Sequence, residues 1–191
     1  LLQGDVGSGK TVVAALAALL AIDSGHQAAL MAPTELLAEQ HFNTLRNWLE
    51  PLGIDVAWLA GKVGGKARAA VLQTIANGEA KLVVGTHALM QEGIAFHDLA
   101  LAIVDEQHRF GVQQRLALRD KGRAGVDDAS SRVPHQLVMT ATPIPRTLAM
   151  AAYADLDVSV IDELPPGRTP VQTIVLTSER RPELVERIRA A

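Results

Sequence analysis

The sequence contains no cysteine and few aromatic residues. Without cysteine, disulfide frameworks, thiolate zinc sites, iron–sulfur clusters and thiol catalysis are excluded. Aromatic side chains make up only 3% of the 191 residues, so aliphatic side chains must build the core. No run approaches the ~18 consecutive apolar residues of a membrane helix. The net charge of −3 excludes a histone-like polycation, although a local basic stripe would suffice for phosphate contact.

Helical and strand patterns alternate along the chain, which predicts an α/β fold with a mostly parallel sheet flanked by helices. A short strand stub precedes residue 4, and further strands are predicted over residues 27–31, 55–59, 81–84, 101–105, 136–140 and 158–161. Helices are predicted over residues 12–23, 36–49, 66–77, 114–119 and 146–153. Residues 121–134 are polar and are predicted to form a surface loop.

The two ends of the chain predict a piece of a larger protein. The chain opens on a strand stub and stops inside a helical pattern. We expect one N-terminally truncated domain over residues 1–164 and a proline-rich linker over residues 165–170. Residues 171–191 would then begin a second, incomplete domain, with a strand over 171–176 and a helix over 182–188.

A glycine-rich loop carries the first chemical motif. Residues 4–11 read GDVGSGKT and match G-x-x-x-x-G-K-[ST] in full, between a strand and a helix. In such a loop the glycines let backbone N–H groups converge on phosphate oxygens, and the following helix directs its positive end at the same anion. Lys10 can reach the β- and γ-phosphates, and the Thr11 hydroxyl can bind Mg²⁺. The predicted nucleotide-binding residues are Gly4, Gly7, Ser8, Gly9, Lys10 and Thr11.

An acidic pair, Asp105 and Glu106, ends the apolar strand predicted over residues 101–105. The carboxyl end of a parallel strand faces the ligand crevice of an open α/β sheet. Asp105 there suits Mg²⁺, and Glu106 suits the general base that polarises an attacking water. The alternative is a solvated acidic pair at a strand end, and the complete phosphate-binding loop argues against it.

Five motifs in the same order resemble superfamily 2 DExH helicases. Besides the loop, residues 105–108 read DEQH, 140–142 read TAT, 32–40 read APTELLAEQ and 84–89 read VGTHAL. Longer stretches resemble the bacterial RecG family of ATP-dependent DNA helicases: 105–112, 139–148, 31–41 and 162–170. The Mfd translocases share part of this pattern, but Ser8 and Gln107 favour RecG.

The resemblance implies a RecA-like P-loop NTPase domain. It would be the first motor domain of an ATP-dependent enzyme that acts on branched DNA, such as stalled forks and recombination intermediates, in the bacterial cytoplasm. It implies ATP and Mg²⁺ as cofactors, a DNA track, and a coupling group between the nucleotide and the DNA. The track residues are Thr34, Glu35, Gly85, Thr86 and His87, and the coupling residues are His108, Thr140 and Thr142. Its partners would be a second RecA-like domain and an N-terminal DNA-binding domain of the same polypeptide, so the chain alone should turn over ATP very slowly.

Several alternatives stay open on the sequence alone. Thr34 also fits a plain helix N-cap, a role that can coexist with DNA contact. His87 also fits a buried, hydrogen-bonded histidine. At the level of function, a nucleotide-gated binding module competes with a translocase. The pair Asp105 and Glu106 favours the translocase, because a switch needs no residue to polarise water.

Overall fold

The computed structural model describes residues 1–61, 64–91, 93–106, 133–142, 156–163 and 173–190. In this part of the chain seven strands form one sheet, and all neighbouring strands run parallel. The strands are β1 (Leu2–Gly4), β2 (Gln27–Met31), β3 (Val56–Leu59), β4 (Leu82–Gly85), β5 (Leu99–Asp105), β6 (His135–Thr140) and β7 (Ser159–Ile161). Their order across the sheet is β3-β4-β2-β5-β6-β1-β7. The predicted fold class is therefore confirmed.

The described helices are α1 (Lys10–Asp23), α2 (Glu35–Leu49), α3 (Gly65–Ala76) and α4 (Arg181–Ala190). Short 3-10 helices cover Glu50–Leu52, His87–Met90 and Ser178–Arg180, which the sequence did not predict. Predicted bounds of the strands up to residue 161 and of these four helices agree with the structure within two residues. The predicted helices over 114–119 and 146–153, the loop over 121–132 and the linker over 165–170 lie outside the described residues. None of the described helices is long and apolar enough to cross a membrane.

The strand predicted over residues 171–176 is wrong for residues 173–176, which the structure describes without strand pairing. Ile174 and Val175 are 60% and 93% exposed. An alternating apolar pattern forms a strand only where a neighbour takes its hydrogen bonds and a core covers its apolar face. Among the described residues this segment has neither, whereas the helix predicted after it is present as α4.

The sheet divides the core into two layers, and strand β2, near its middle, contributes side chains to both. All five of its residues are buried, as expected for a strand covered on both faces. Ala28 and Leu30 point into the layer covered by α1 and α2, whereas Ala29 and Met31 point into the layer covered by α3. Small side chains at the buried positions of α1, all alanine, allow that helix to pack closely on the sheet.

The order of the strands brings the predicted motifs together at the carboxyl ends of neighbouring strands. Strands β5, β6 and β1 are neighbours, with Asp105 in register with Met139 and Met139 in register with Leu2. Because the carboxyl ends of parallel strands share an edge, the segments that follow these three strands lie side by side. They are the glycine-rich loop, the acidic pair and the Thr-Ala-Thr segment.

Candidate active site

The glycine-rich loop leaves β1 at Gly4 and enters α1 at Lys10. Gly7 and Gly9 have φ values of 83° and 94°, in the left-handed region that favours glycine. Gly9 is the N-cap of α1 and supplies no side-chain hydrogen bond. The first turn of α1 can therefore take an external anion as its cap, which is how such loops hold phosphate.

The backbone of this loop holds the Lys10 side chain in place. Its Nζ donates to the carbonyl oxygens of Gly4 and Asp5, each at 2.9 Å. The ammonium group is thus placed within the loop before any phosphate arrives. Less side-chain entropy remains to be lost on binding, which is the advantage of a preorganised site.

Asp105 and Glu106 turn the chain away from the sheet at the end of β5. The Glu106 backbone N–H donates to Met139 O at 3.0 Å and to Asp105 Oδ1 at 3.0 Å. Glu106 has a φ of 51°. Among the described residues, it is the only residue other than glycine with a positive φ. Such a conformation costs a non-glycine residue about 1–3 kcal/mol and persists where surrounding contacts fix it. Here the two hydrogen bonds fix it.

A cavity of about 690 Å³ joins these elements. Its lining contains the predicted nucleotide-site residues Gly7, Gly9, Lys10, Thr11, Asp105 and Glu106, together with Thr142 and Thr34. A volume of this size is typical of a small-molecule site. The hydroxyl of Thr11 and the carboxylate of Asp105 face one space with Lys10, and this donor set fits a phosphate group with a divalent cation. No cage of three or more His, Asp or Glu side chains occurs among the described residues, and Mg²⁺ bound to phosphates needs none.

Ser8 and Gly4 serve the loop's own packing. The Ser8 backbone N–H donates to Asp5 O at 3.1 Å. The Ser8 Oγ atom is buried and has no hydrogen-bond partner among the described residues. A Cβ at Gly4 would lie 2.5 Å from Ser8 Oγ and 3.1 Å from Ile161 Cβ. Glycine at position 4 therefore lets the loop close against β7.

The coupling residues fall partly within the described structure. Thr140 is the last residue of β6 and is 2% exposed, and its Oγ1 accepts a hydrogen bond from Thr142 N at 3.1 Å. This bond shapes the turn that brings Thr142 into the cavity lining. The third predicted coupling residue, His108, lies outside the described residues.

The predicted DNA-track residues divide into two groups. Thr34 lines the cavity, and its Oγ1 accepts from Leu37 N at 3.3 Å, so the N-cap interpretation is confirmed. Glu35 follows as the first residue of α2, where a negative side chain complements the helix dipole.

The second group, Gly85, Thr86 and His87, is outside the cavity lining. Gly85 is the last residue of β4, and a Cβ there would lie 2.1 Å from Leu59 O. The buried Thr86 side chain caps the 3-10 helix by accepting from Ala88 N at 3.4 Å. His87 is exposed, so the buried-histidine alternative is wrong.

Two polar residues of the cavity lining, Gln40 and His41, were not predicted as site residues, although both lie within the motif over residues 31–41. His41 Nε2 lies 2.7 Å from Asp105 Oδ2, and both side chains are 12% exposed. A signal was present, because His41 stands seven residues after Thr34. Seven residues make two helical turns, which places both on one face of the helix start.

Residues 1–151 match the family model described as DEAD/DEAH box helicase, and the chain belongs to that family. Its fold is RecA-like, with the nucleotide loop and the acidic pair at the carboxyl edge of the parallel sheet.

Among curated relatives, the chain is similar to ATP-dependent DNA helicase RecG. It is 65% identical to the Haemophilus influenzae protein over 191 residues, which is 100% of this chain and 27% of that relative. It is 50% identical to the Treponema pallidum protein over 186 residues, or 97% of this chain and 27% of that relative. The chain thus spans about a quarter of the length of these relatives.

Solved structures of helicases have a fold similar to that of this chain. A structure of RecG bound to a three-way DNA junction has a TM-score of 0.79 and 42% identity, covering 98% of this chain and 24% of that one. The DUF1998 helicase MrfA bound to DNA and AMPPNP has a TM-score of 0.62 at 21% identity, covering 85% of this chain and 24% of that one, and shows the fold alone.

Proposed function

We propose that this chain is the ATP-binding motor lobe of a bacterial, cytoplasmic ATP-dependent DNA helicase. Its substrates would be branched DNA, such as stalled replication forks and recombination intermediates. The observation that carries the proposal is the single cavity shared by Lys10, Thr11, Asp105 and Glu106. The similarity to RecG, including a RecG structure bound to a three-way DNA junction, supports branched DNA as the substrate.

In this proposal each residue of the cavity has one task with ATP and Mg²⁺. The loop amides and Lys10 bind the phosphates, while Thr11 and Asp105 hold the magnesium ion. Bound Mg²⁺ would neutralise charge on the phosphate oxygens. Glu106 orients the attacking water and accepts its proton. Its fixed backbone conformation holds the carboxylate at the cavity, next to Asp105.

DNA would bind along the loops that follow β2 and β4. Thr34, Glu35, Gly85, Thr86 and His87 are the proposed contacts, through backbone groups and side chains that touch phosphate and sugar without reading bases. The exposed His87 supports a side-chain contact, whereas Thr86 is 2% exposed and offers DNA little surface. Thr140, Thr142 and His108 would link this track to the nucleotide.

The lobe would work only with other domains of the polypeptide. We propose residues 1–164 as the first motor domain, 165–170 as a linker and 171–191 as the start of a second RecA-like domain. That second domain would supply arginine fingers, each worth about 10³–10⁵ in rate. An N-terminal domain would hold the branched DNA. Alone, the 191-residue chain would therefore hydrolyse ATP very slowly.

The test compares ATP turnover, with and without forked DNA, in the longer polypeptide and in this chain. We expect strong DNA stimulation in the longer polypeptide and near silence in the chain. In the longer polypeptide Glu106→Gln should retain nucleotide binding and lose turnover. The matched control is Glu79→Gln, an exposed glutamate just before β4 at the opposite edge of the sheet, and it should change nothing.

Three outcomes would contradict the proposal. Undiminished turnover in Glu106→Gln would remove Glu106 as the general base. Nucleotide binding without DNA-stimulated turnover in the longer polypeptide would replace the translocase with a nucleotide-gated binding module. Stimulation by linear duplex equal to that by forks would favour an Mfd-like translocase.

A further inference from the structure

The carboxylate of Asp105 is held from two sides. Oδ1 accepts the Glu106 backbone N–H at 3.0 Å, and Oδ2 lies 2.7 Å from His41 Nε2. A carboxylate only accepts hydrogen bonds, so His41 Nε2 carries the hydrogen. The first bond is local, whereas the second joins residues 64 positions apart, on α2 and β5.

We propose that His41 is a positioning residue for the magnesium site, which fixes the Asp105 carboxylate in the orientation that receives the ion. The inference rests on the function proposed above. His41 does not touch the ion in this proposal. It acts through Asp105, as groups behind a metal ligand commonly do by orienting it.

Burial strengthens the hydrogen bond between His41 and Asp105. Both side chains are only 12% exposed, so little water competes for the hydrogen bond. A rotation of the Asp105 side chain that suited some other partner would leave His41 Nε2 without an acceptor. The pair therefore selects one rotamer of Asp105 among those that the strand end permits.

The position of His41 on α2 supports a role beyond fastening a helix. The helix is already anchored on the sheet by Leu45 and Leu49, each 1% exposed. His41 stands nearer the start of α2 and lines the same cavity as Lys10 and Thr11. His41 therefore lies beside the proposed phosphate and Mg²⁺ ligands, away from the buried leucines that anchor α2.

The test uses three substitutions of His41 in the longer polypeptide. His41→Gln places an amide N–H near the position of Nε2, His41→Asn places it near Nδ1, and His41→Ala removes it. A fluorescent ADP analogue is titrated in EDTA and then across a range of Mg²⁺, which gives nucleotide affinity and the Mg²⁺ half-saturation separately. Leu45→Ala is the control for a weakened α2.

We expect His41→Ala and His41→Asn to raise the Mg²⁺ half-saturation about tenfold or more, within the usual range for groups behind a metal ligand. His41→Gln should stay within about threefold of the parent, since it keeps the donor in place. Nucleotide affinity in EDTA should be the same in all variants, and Leu45→Ala should leave the Mg²⁺ half-saturation unchanged. The contrast between Gln and Asn holds even where the Ala variant fails to fold.

Equal Mg²⁺ half-saturation in the Asn, Gln and parent proteins would overturn the inference. So would a rise in Leu45→Ala as large as that in His41→Asn, because the contact would then only stabilise α2. A parent protein without ATP turnover would instead refute the proposed function, so the two failures are distinguishable.

Discussion

Substituting Gly85 by alanine tests the close approach between β3 and β4. An ideal Cβ at this position would lie 2.1 Å from Leu59 O and 3.1 Å from Leu89 Cγ, against an ordinary contact distance of at least 3.4 Å. The obstacle is a backbone carbonyl, which cannot rotate away as a side chain would. Leu59 is in register with Gly85, so the ends of the two strands would have to separate.

The size of the effect follows from two opposing terms. Overpacking of this kind costs about 1–3 kcal/mol, and a clash with backbone belongs at the upper end. The φ of Gly85 is outside the positive range, so alanine meets no conformational strain there. Alanine also reduces the entropy of the unfolded chain, which returns about 0.4–1 kcal/mol. We therefore expect Gly85→Ala to lower the free energy of unfolding by about 2–3 kcal/mol.

Urea denaturation followed by tryptophan fluorescence measures this loss, since Trp58 lies in β3 beside Leu59. The control is Gly61→Ala, where the nearest atom would be Glu35 Oε1 at 3.8 Å. It should change stability by less than about 0.5 kcal/mol. A Gly85→Ala protein as stable as the control would refute the steric reasoning. Position 85 would then owe its glycine to the proposed DNA contact instead.

Two further predictions concern the site. Glu106→Gly should be more stable to urea than Glu106→Ala by about 1 kcal/mol, because a φ of 51° penalises alanine but not glycine. Equal stabilities would mean that the turn relaxes. His87→Ala should weaken binding of forked DNA by the longer polypeptide several-fold without loss of stability, whereas the control His97→Ala, exposed before β5, should not. Equal DNA affinities in the two variants would remove His87 from the DNA track.

Much of the fold could be predicted because its signals are local. The glycine-rich loop, the apolar run of β2 and the Thr34 N-cap of α2 each indicate an element within a few residues. The acidic pair could be placed at the sheet edge from the rule for parallel strands alone. The strand predicted over residues 171–176 was wrong for residues 173–176, because an alternating pattern indicates only an apolar face, and a strand also needs a neighbour to pair with.

The site residues that escaped prediction depend on distant contacts. His41 gains its role only when α2 brings it to Asp105, 64 positions later in the chain. Likewise, position 85 needs glycine because of Leu59, which lies 26 positions earlier on β3 and is in register with Gly85. Spacing along one helix could place His41 and Thr34 on one face, but it could not say what that face meets.

The position of β1 in the sheet has a consequence for the order of events in folding. This strand comes first in the chain, yet its partners are β6 and β7, with Leu2 in register with both Met139 and Ser159. Contacts so distant in sequence form late, because a long loop must close before they stabilise anything. On the ribosome, β1 cannot pair until β6 has emerged, and its second partner, β7, emerges later still. The glycine-rich loop begins at the end of β1, so we expect it to take its place beside Asp105 only after β6 has paired with β5 and β1.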